Sequence, residues 1–169
     1  MAEKVMFLME SPEGRTFYIG DDPVVMHTDH PTVAGRGALG LSVPFIQIFL
    51  PLSSDLMLCT FDKAVLGDLM MGSDREHSRF ADEALRALRE GKISADQMAG
   101  LLREVKTADP VVAMMDAIRS GRPVQAEPEH VQFYNSLQTT NAHRFVVDLD
   151  GMFDVAREMR DEWAANRLR

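Results

Sequence analysis

The feature that most constrains this chain is a switch in the spacing of its apolar residues near residue 63. Before the switch they fall in short extended runs: "VMFLM" (5–9), "TFYIG" (16–20), "PVVMH" (23–27), "FIQIFL" (45–50) and "LMLCTF" (56–61). Gly, Pro, Asp and Ser punctuate these runs, as expected between strands. "SPEGR" predicts a hairpin joining the first two runs, because Pro12 presets a turn φ and Gly14 permits a left-handed residue. "PLSSD" predicts strand, turn, strand between the last two.

From Lys63 onward the spacing is helical. Phe80, Ala84, Leu85 and Leu88 share one side of a helix that Gly91 stops. "SADQ" is a capping box, Ser94 serving the amide of Gln97, and Met98, Leu101, Leu102 and Val105 form the stripe behind it. Asp109 before Pro110 predicts a third start, a cap followed by proline in the first turn, with Val111, Met114, Met115 and Ile118 apolar. "SGRPVQAEPE" connects to a helix through "HVQFYNSLQTTNAHR". A short strand "FVVDL" follows, and then a C-terminal amphipathic helix with Phe153, Val155, Met159 and Trp163. The pattern predicts an α+β fold, a small and mostly antiparallel sheet from the N-terminal third packed against a cluster of amphipathic helices. Residues 1–62 and 145–149 are expected to be mainly sheet, and 63–144 and 151–167 mainly helical, within a single domain spanning 1–169.

At 169 residues such a domain buries about 70% of its unfolded surface and needs no metal or disulfide to stand. The lone cysteine, Cys59, sits among apolar neighbours and reads as a small buried hydrophobe, consistent with a reducing cytoplasm. The apolar run that ends at Glu10 is too short for a signal-peptide core or a membrane span, so a soluble cytoplasmic protein is expected. The formal net charge is −8, and no segment is basic: residues 1–72 carry 4 basic and 9 acidic side chains. Nucleic-acid backbones are bound by clustered Lys and Arg, so nucleic acid is not an expected partner. The helices at 78–90 and 95–105 alternate Glu, Asp, Arg and Lys and present no basic recognition face. The twelve methionines are read as core filler.

"AGRGALGLS" places Gly35, Gly37 and Gly40 at the spacing of a dinucleotide-binding loop. That mechanism needs a helix after the glycines to hold the pyrophosphate, and here Pro44 and a β-rich run follow, which excludes it. No cofactor is expected. Ser53 and Ser54 lack a nucleophile elbow, and Cys59 has no nearby His in sequence.

The densest chemistry lies in "YIGDDPVVMHTDH" (18–30). His27, Asp29 and His30 are nitrogen and oxygen ligands of the right kind for a divalent metal, and Asp21 and Asp22 could add oxygens. Along an extended chain His27 and Asp29 share a face while His30 points away, so only a sharp turn, which Pro31 makes credible, would converge all three. The competing reading takes Asp21 and Asp22 before Pro23 as turn chemistry, followed by a solvated loop. It is the preferred one.

Several stretches in order, "FYIGDDPVV", "IFLPLSSDLMLCTF" and "VQFYNSLQTTNAHRFVV", together resemble the C-terminal half of an uncharacterised bacterial family, domain of unknown function 4238. The resemblance places the family's turn aspartate at Asp21, its proline at Pro23, its Pro-Leu-Ser at Pro51 to Ser53, its helix asparagine at Asn135 and its arginine at Arg144. Gly20 stands where the family has a hydroxyl residue, Asp22 where it has Asn, and Ser54 where it has a second proline. The resemblance also implies that the family's other half, with its His-x-x-Pro region, is absent. It transfers no reaction. Asp21, Asp22, Pro23, Asn135 and Arg144 are therefore expected to form a structural or binding cluster, with Arg144 a bidentate partner of Asp21. The functional expectation is a non-catalytic protein that binds another protein, as an acidic inhibitor or adaptor. The alternative is a metal-dependent hydrolase built on the Asp/His cluster at 21–30.

Overall fold

Strand gives way to helix at Asp62. Its carboxylate accepts the Ala64 N–H at 2.9 Å and is held by Lys4 Nζ at 3.1 Å, so the first turn of the helix starts with an orphan donor already satisfied. The computed structural model describes residues 3–30, 40 and 43–166. In chain order these give β1 (Lys4–Glu10), β2 (Ile19–Gly20), β3 (Val25–His27), β4 (Gln47–Pro51), β5 (Leu56–Asp62), α1 (Lys63–Arg89), α2 (Ala95–Ala108), α3 (Pro110–Ser120), β6 (Val124–Gln125), α4 (Pro128–Asn141), β7 (Val146–Val147) and α5 (Asp154–Asn166).

The main sheet runs β3-β4-β5-β1-β6, antiparallel except for the parallel β1–β6 pair, and β2 and β7 form a separate antiparallel ribbon. The fold is α+β, as the change of period predicts. Alternation along the strands sends Phe7, Met9, Phe49, Met57, Cys59, Phe61 and Val124 to one side. There they pack with Leu66 of α1, Ala117 of α3, and Val131 and Tyr134 of α4. Burial of each Phe, Met, Leu or Val among these contributes roughly 1.5–3 kcal/mol.

The helix boundaries follow local chemistry. Ser94 and Gln97 exchange both bonds of the capping box at the start of α2. Asp109 caps α3 through Val111 and Val112, and Gly121, with φ 67°, ends it in the left-handed conformation that a side chain would strain. The β4–β5 hairpin turns on Leu52 to Asp55, with the Leu52 N–H bonded to Leu56 O at 2.8 Å.

The other hairpin is a correction. Gly14 does take a positive φ of 74°, yet β1 pairs with β5 and β6, and the chain after the turn peels away from it. Helix α4 supplies side-chain amides to Thr16 and Tyr18, taking the backbone bonds that a hairpin would have used. α1 is also one helix of 27 residues from Lys63, longer than the stretch marked by Phe80 to Leu88. Cys59 is buried in the core as expected. Gly35, Gly37 and Pro31, on which the glycine-loop and sharp-turn readings rest, lie outside the described residues. Among the described residues, no helix is long and apolar enough to cross a membrane.

Candidate functional site

Asn135 and Gln138 stand one turn apart on α4, on a face otherwise occupied by Val131 and Tyr134, and both are buried. Asn135 Oδ1 accepts the Tyr18 N–H at 2.8 Å, and its Nδ2 donates to Thr16 O at 2.9 Å. Gln138 Oε1 accepts the Gly20 N–H at 3.0 Å, and its Nε2 donates to Pro23 O at 2.9 Å. The i, i+3 spacing aims both amides at one extended segment, so the helix serves residues 16–23 as a neighbouring strand would. Gly20 permits the approach: a Cβ there would lie 3.1 Å from Gln138 Oε1.

The other edge of this segment is held from residues 143–152. Asp21 Oδ1 accepts the His143 N–H at 2.9 Å, and the Asp21 N–H donates to Phe145 O at 3.2 Å. Desolvation pushes the Asp21 carboxyl up, but the backbone N–H groups of His143 and Arg144 outweigh it and hold its pKa below the ordinary value. Thr16 donates its hydroxyl to Asp148, which also accepts the Met152 N–H at 2.6 Å, while the Tyr18 hydroxyl donates to Met152 O at 2.6 Å. Burial, with the Asp148 charge behind it, raises the Tyr18 pKa.

The sequence-derived cluster is thus partly assembled. Asp21, Pro23 and Asn135 all join the seam; Asp22 is exposed beside it. Arg144 takes part through its backbone, and its side chain is exposed, so the expected bidentate pair with Asp21 is replaced by main-chain donors at the end of α4. Sequence reasoning missed Thr16, Tyr18, Gln138 and Asp148. The available signal was two amide side chains at i, i+3 on the apolar face of a helix.

Of the potential metal ligands, His27 Nε2 and Asp29 Oδ1 lie 2.8 Å apart, and the His27 ring meets the edge of Phe133. His30 stacks on Phe45, ring centroids 3.7 Å apart, with Phe45 in the left-handed region at φ 60°. Among the described residues no group of three His, Cys, Asp or Glu side chains is placed to hold a metal ion. A Ser-His-Asp trio does occur elsewhere: Ser73 and His77, one turn apart on α1, both reach Oδ2 of Asp109, His77 at 2.8 Å. A triad needs His between Ser and Asp; here Asp is between the other two, and it also caps α3. Burial pushes the Cys59 thiol up to about 12, which leaves it inert as a nucleophile at neutral pH.

The unusual surface is the other side of the main sheet. Register places Met6, Thr60, Ile48 and Met26 in one row across β1, β5, β4 and β3, and Leu8, Leu58 and Leu50 in the next. Met6 is 70% exposed and Leu8 36%; the rest are half-buried. The Lys4–Asp62 pair closes this strip at one end, and Glu10 with Gln125, whose side chains bond at 2.6 Å, closes the other. A sheet with one solvated face ordinarily alternates apolar-in and polar-out. This one is apolar on both faces, whereas the helix residues of the core all lie on the opposite side.

Compared with known proteins, residues 1–151 match the model of a family described as "Protein of unknown function (DUF4238)". No curated protein and no solved structure matches the chain.

Proposed function

The chain belongs to the DUF4238 family of proteins of unknown function, and on that premise we propose that it acts without catalysis, by binding another protein through the outer face of its main sheet. The observation that carries this reading is the two-row strip of Met6, Thr60, Ile48 and Met26 beside Leu8, Leu58 and Leu50, apolar but for Thr60, with Met6 and Leu8 exposed, and polar at both ends. Contiguous exposed apolar surface with a polar border is the mark of an interaction site. The occupant is a different protein rather than a second copy, because a net charge of −8 on each chain opposes self-association. The role fits an adaptor or an inhibitor. The polar seam of residues 16–23 supports it by locking α4 in place under the sheet, so that the strip is presented on a rigid support.

The test is site-specific photo-crosslinking in the native host. A photoreactive residue at Met6 should give a discrete adduct with another protein, which Leu8→Glu removes and the same probe at exposed Arg89 on α1 does not give. No adduct at Met6, an adduct shared with Arg89, or an adduct made only of two copies of the chain would overturn the proposal.

A further inference from the structure

The last turn of α2, the first two turns of α3 and strand β6 border a cleft of about 630 Å³, within the range of roughly 300–1,000 Å³ usual for small-molecule sites. Pro110, Val112, Met114 and Val124 supply its apolar lining. β6 is an edge strand of the main sheet. Because the Ala126 N–H bonds to Glu10 O at 2.9 Å, and alternate residues of a parallel ladder face the partner strand, the Gln125 N–H and C=O point away from β1. Neither makes a hydrogen bond among the described residues. The polar side chains of the cleft divide into engaged and free ones. Asp116 is paired with Arg119, and the Gln125 amide with Glu10. Lys106, Arg122 and Glu127 line the same cleft and make no ion pair among the described residues; Arg122 gives only its Nε, to the Ser120 hydroxyl, and Glu127 makes no cap bond to α4.

We propose that this cleft binds a small organic monoanion, a carboxylate carried on an apolar body. Two free positive charges, Lys106 and Arg122, stand against one free negative charge, Glu127, and the single positive charge left over is what one carboxylate neutralises. The apolar body covers Val112, Met114 and Val124 and removes their surface from water. The cations hold the carboxylate, with the Gln125 N–H a further donor at the cleft edge. Bonds from cations to a carboxylate are charge-assisted, so they favour an anion over a neutral ligand of the same shape. The overall charge of −8 repels anions at long range, so this selectivity arises from contact inside the cleft and not from steering.

Titration of the isotope-labelled full chain with octanoate and with octanamide, its neutral counterpart, followed by amide NMR shifts, tests this. Octanoate should give saturable shifts at Ala113, Met114 and Gln125 and bind at least about tenfold more tightly than octanamide. The combined variant Lys106→Gln, Arg122→Gln should bring the two ligands within about threefold of each other. Ala113 is exposed and lines the cleft, so Ala113→Trp should fill it and abolish binding of both while the remaining spectrum keeps its dispersion. Met6→Glu, on the outer face of the sheet, should leave octanoate binding unchanged. No saturable shift in the millimolar range, equal binding of octanoate and octanamide, or a preference that survives loss of both cations overturns the proposal. So does binding that persists in Ala113→Trp, or shifts centred on Met6 and Leu8 that Met6→Glu removes. The crosslinking test at Met6 reads a different surface, so either reading can fail without the other.

Discussion

On the inward side of the main sheet Phe7, Phe49, Met57 and Cys59 are sealed beneath helices, whereas Met6 and Leu8, each one residue along the same strand from Phe7, stand in the open. The chemistry of the two sets is nearly the same. What separates them is the direction in which the helices pack: α1, α3 and α4 all contribute to the inward cluster. A buried apolar residue stabilises the fold through lost water contact; an exposed one leaves the same free energy available to a partner. Under the proposed function, stability belongs to one face and binding to the other, and each substitution below probes that division.

The largest effect is expected for Phe49→Ala on the inward face, about 3–5 kcal/mol lost, read as a lower urea midpoint at unchanged slope. A loss under about 1 kcal/mol would mean that the covered face is not the main source of stability. Next comes the polar seam, where Gln138→Ala strands the Gly20 N–H and the Pro23 carbonyl together. A cost of about 2–4 kcal/mol follows from leaving the buried Gly20 N–H and the partly buried Pro23 carbonyl without these partners. Gly20→Ala should cost about 1 kcal/mol, since its Cβ would press Gln138 Oε1 at 3.1 Å; a neutral outcome would show that the seam gives way easily.

Acid should produce a smaller, pH-dependent loss. In Asp21, Asp62 and Asp109 desolvation raises the pKa, but it is outweighed: by backbone N–H groups at Asp21, by the Ala64 N–H and Lys4 at Asp62, and by Ser73, Val111 and Val112 at Asp109. All three therefore titrate below the ordinary carboxylate value in the folded protein. Their stabilisation is fully present above the unfolded pKa, about 4, and is lost as pH falls through the lowered folded values. Asp62→Asn should flatten that acid limb of the stability curve, and a limb of unchanged slope would remove Asp62 as a contributor. Smallest of all is Met6→Ala, expected to change stability by less than about 0.5 kcal/mol while weakening partner capture. Were Met6→Ala as costly as Phe49→Ala, the two faces would not differ and the binding assignment would fall.

The sequence announces the two faces unequally. The switch of period at residue 63, the capping box at Ser94 and the Asp109-Pro110 start are local features, and the helices follow them. The near-continuous apolar runs at 45–50 and 56–61 carry the outer strip in plain sight, but such runs read the same whether a second layer covers them or not. The seam was half legible: Asp21, Pro23 and Asn135 stand out by resemblance, yet Gln138 acts on backbone, and Asp148 on the Thr16 hydroxyl, more than a hundred residues away. The predicted hairpin failed for the same reason, since its competitor, the Asn135 amide, lies 117 residues from Tyr18. His27 and Asp29 share a face as extended geometry requires, and His30 turns instead to stack on Phe45.

The seam also sets an order of events during synthesis. Residues 16–23 obtain their backbone partners from Asn135 and Gln138, and β1 its last neighbour from Val124 and Gln125. As the chain leaves the ribosome, β1, β4 and β5 can pair early, but the segment between them must wait for more than a hundred further residues. Such long-range closure slows folding and leaves apolar strands uncovered meanwhile. The growing chain therefore displays both faces of its sheet for a time, and α4 is the element whose arrival ends that exposure on the inward side.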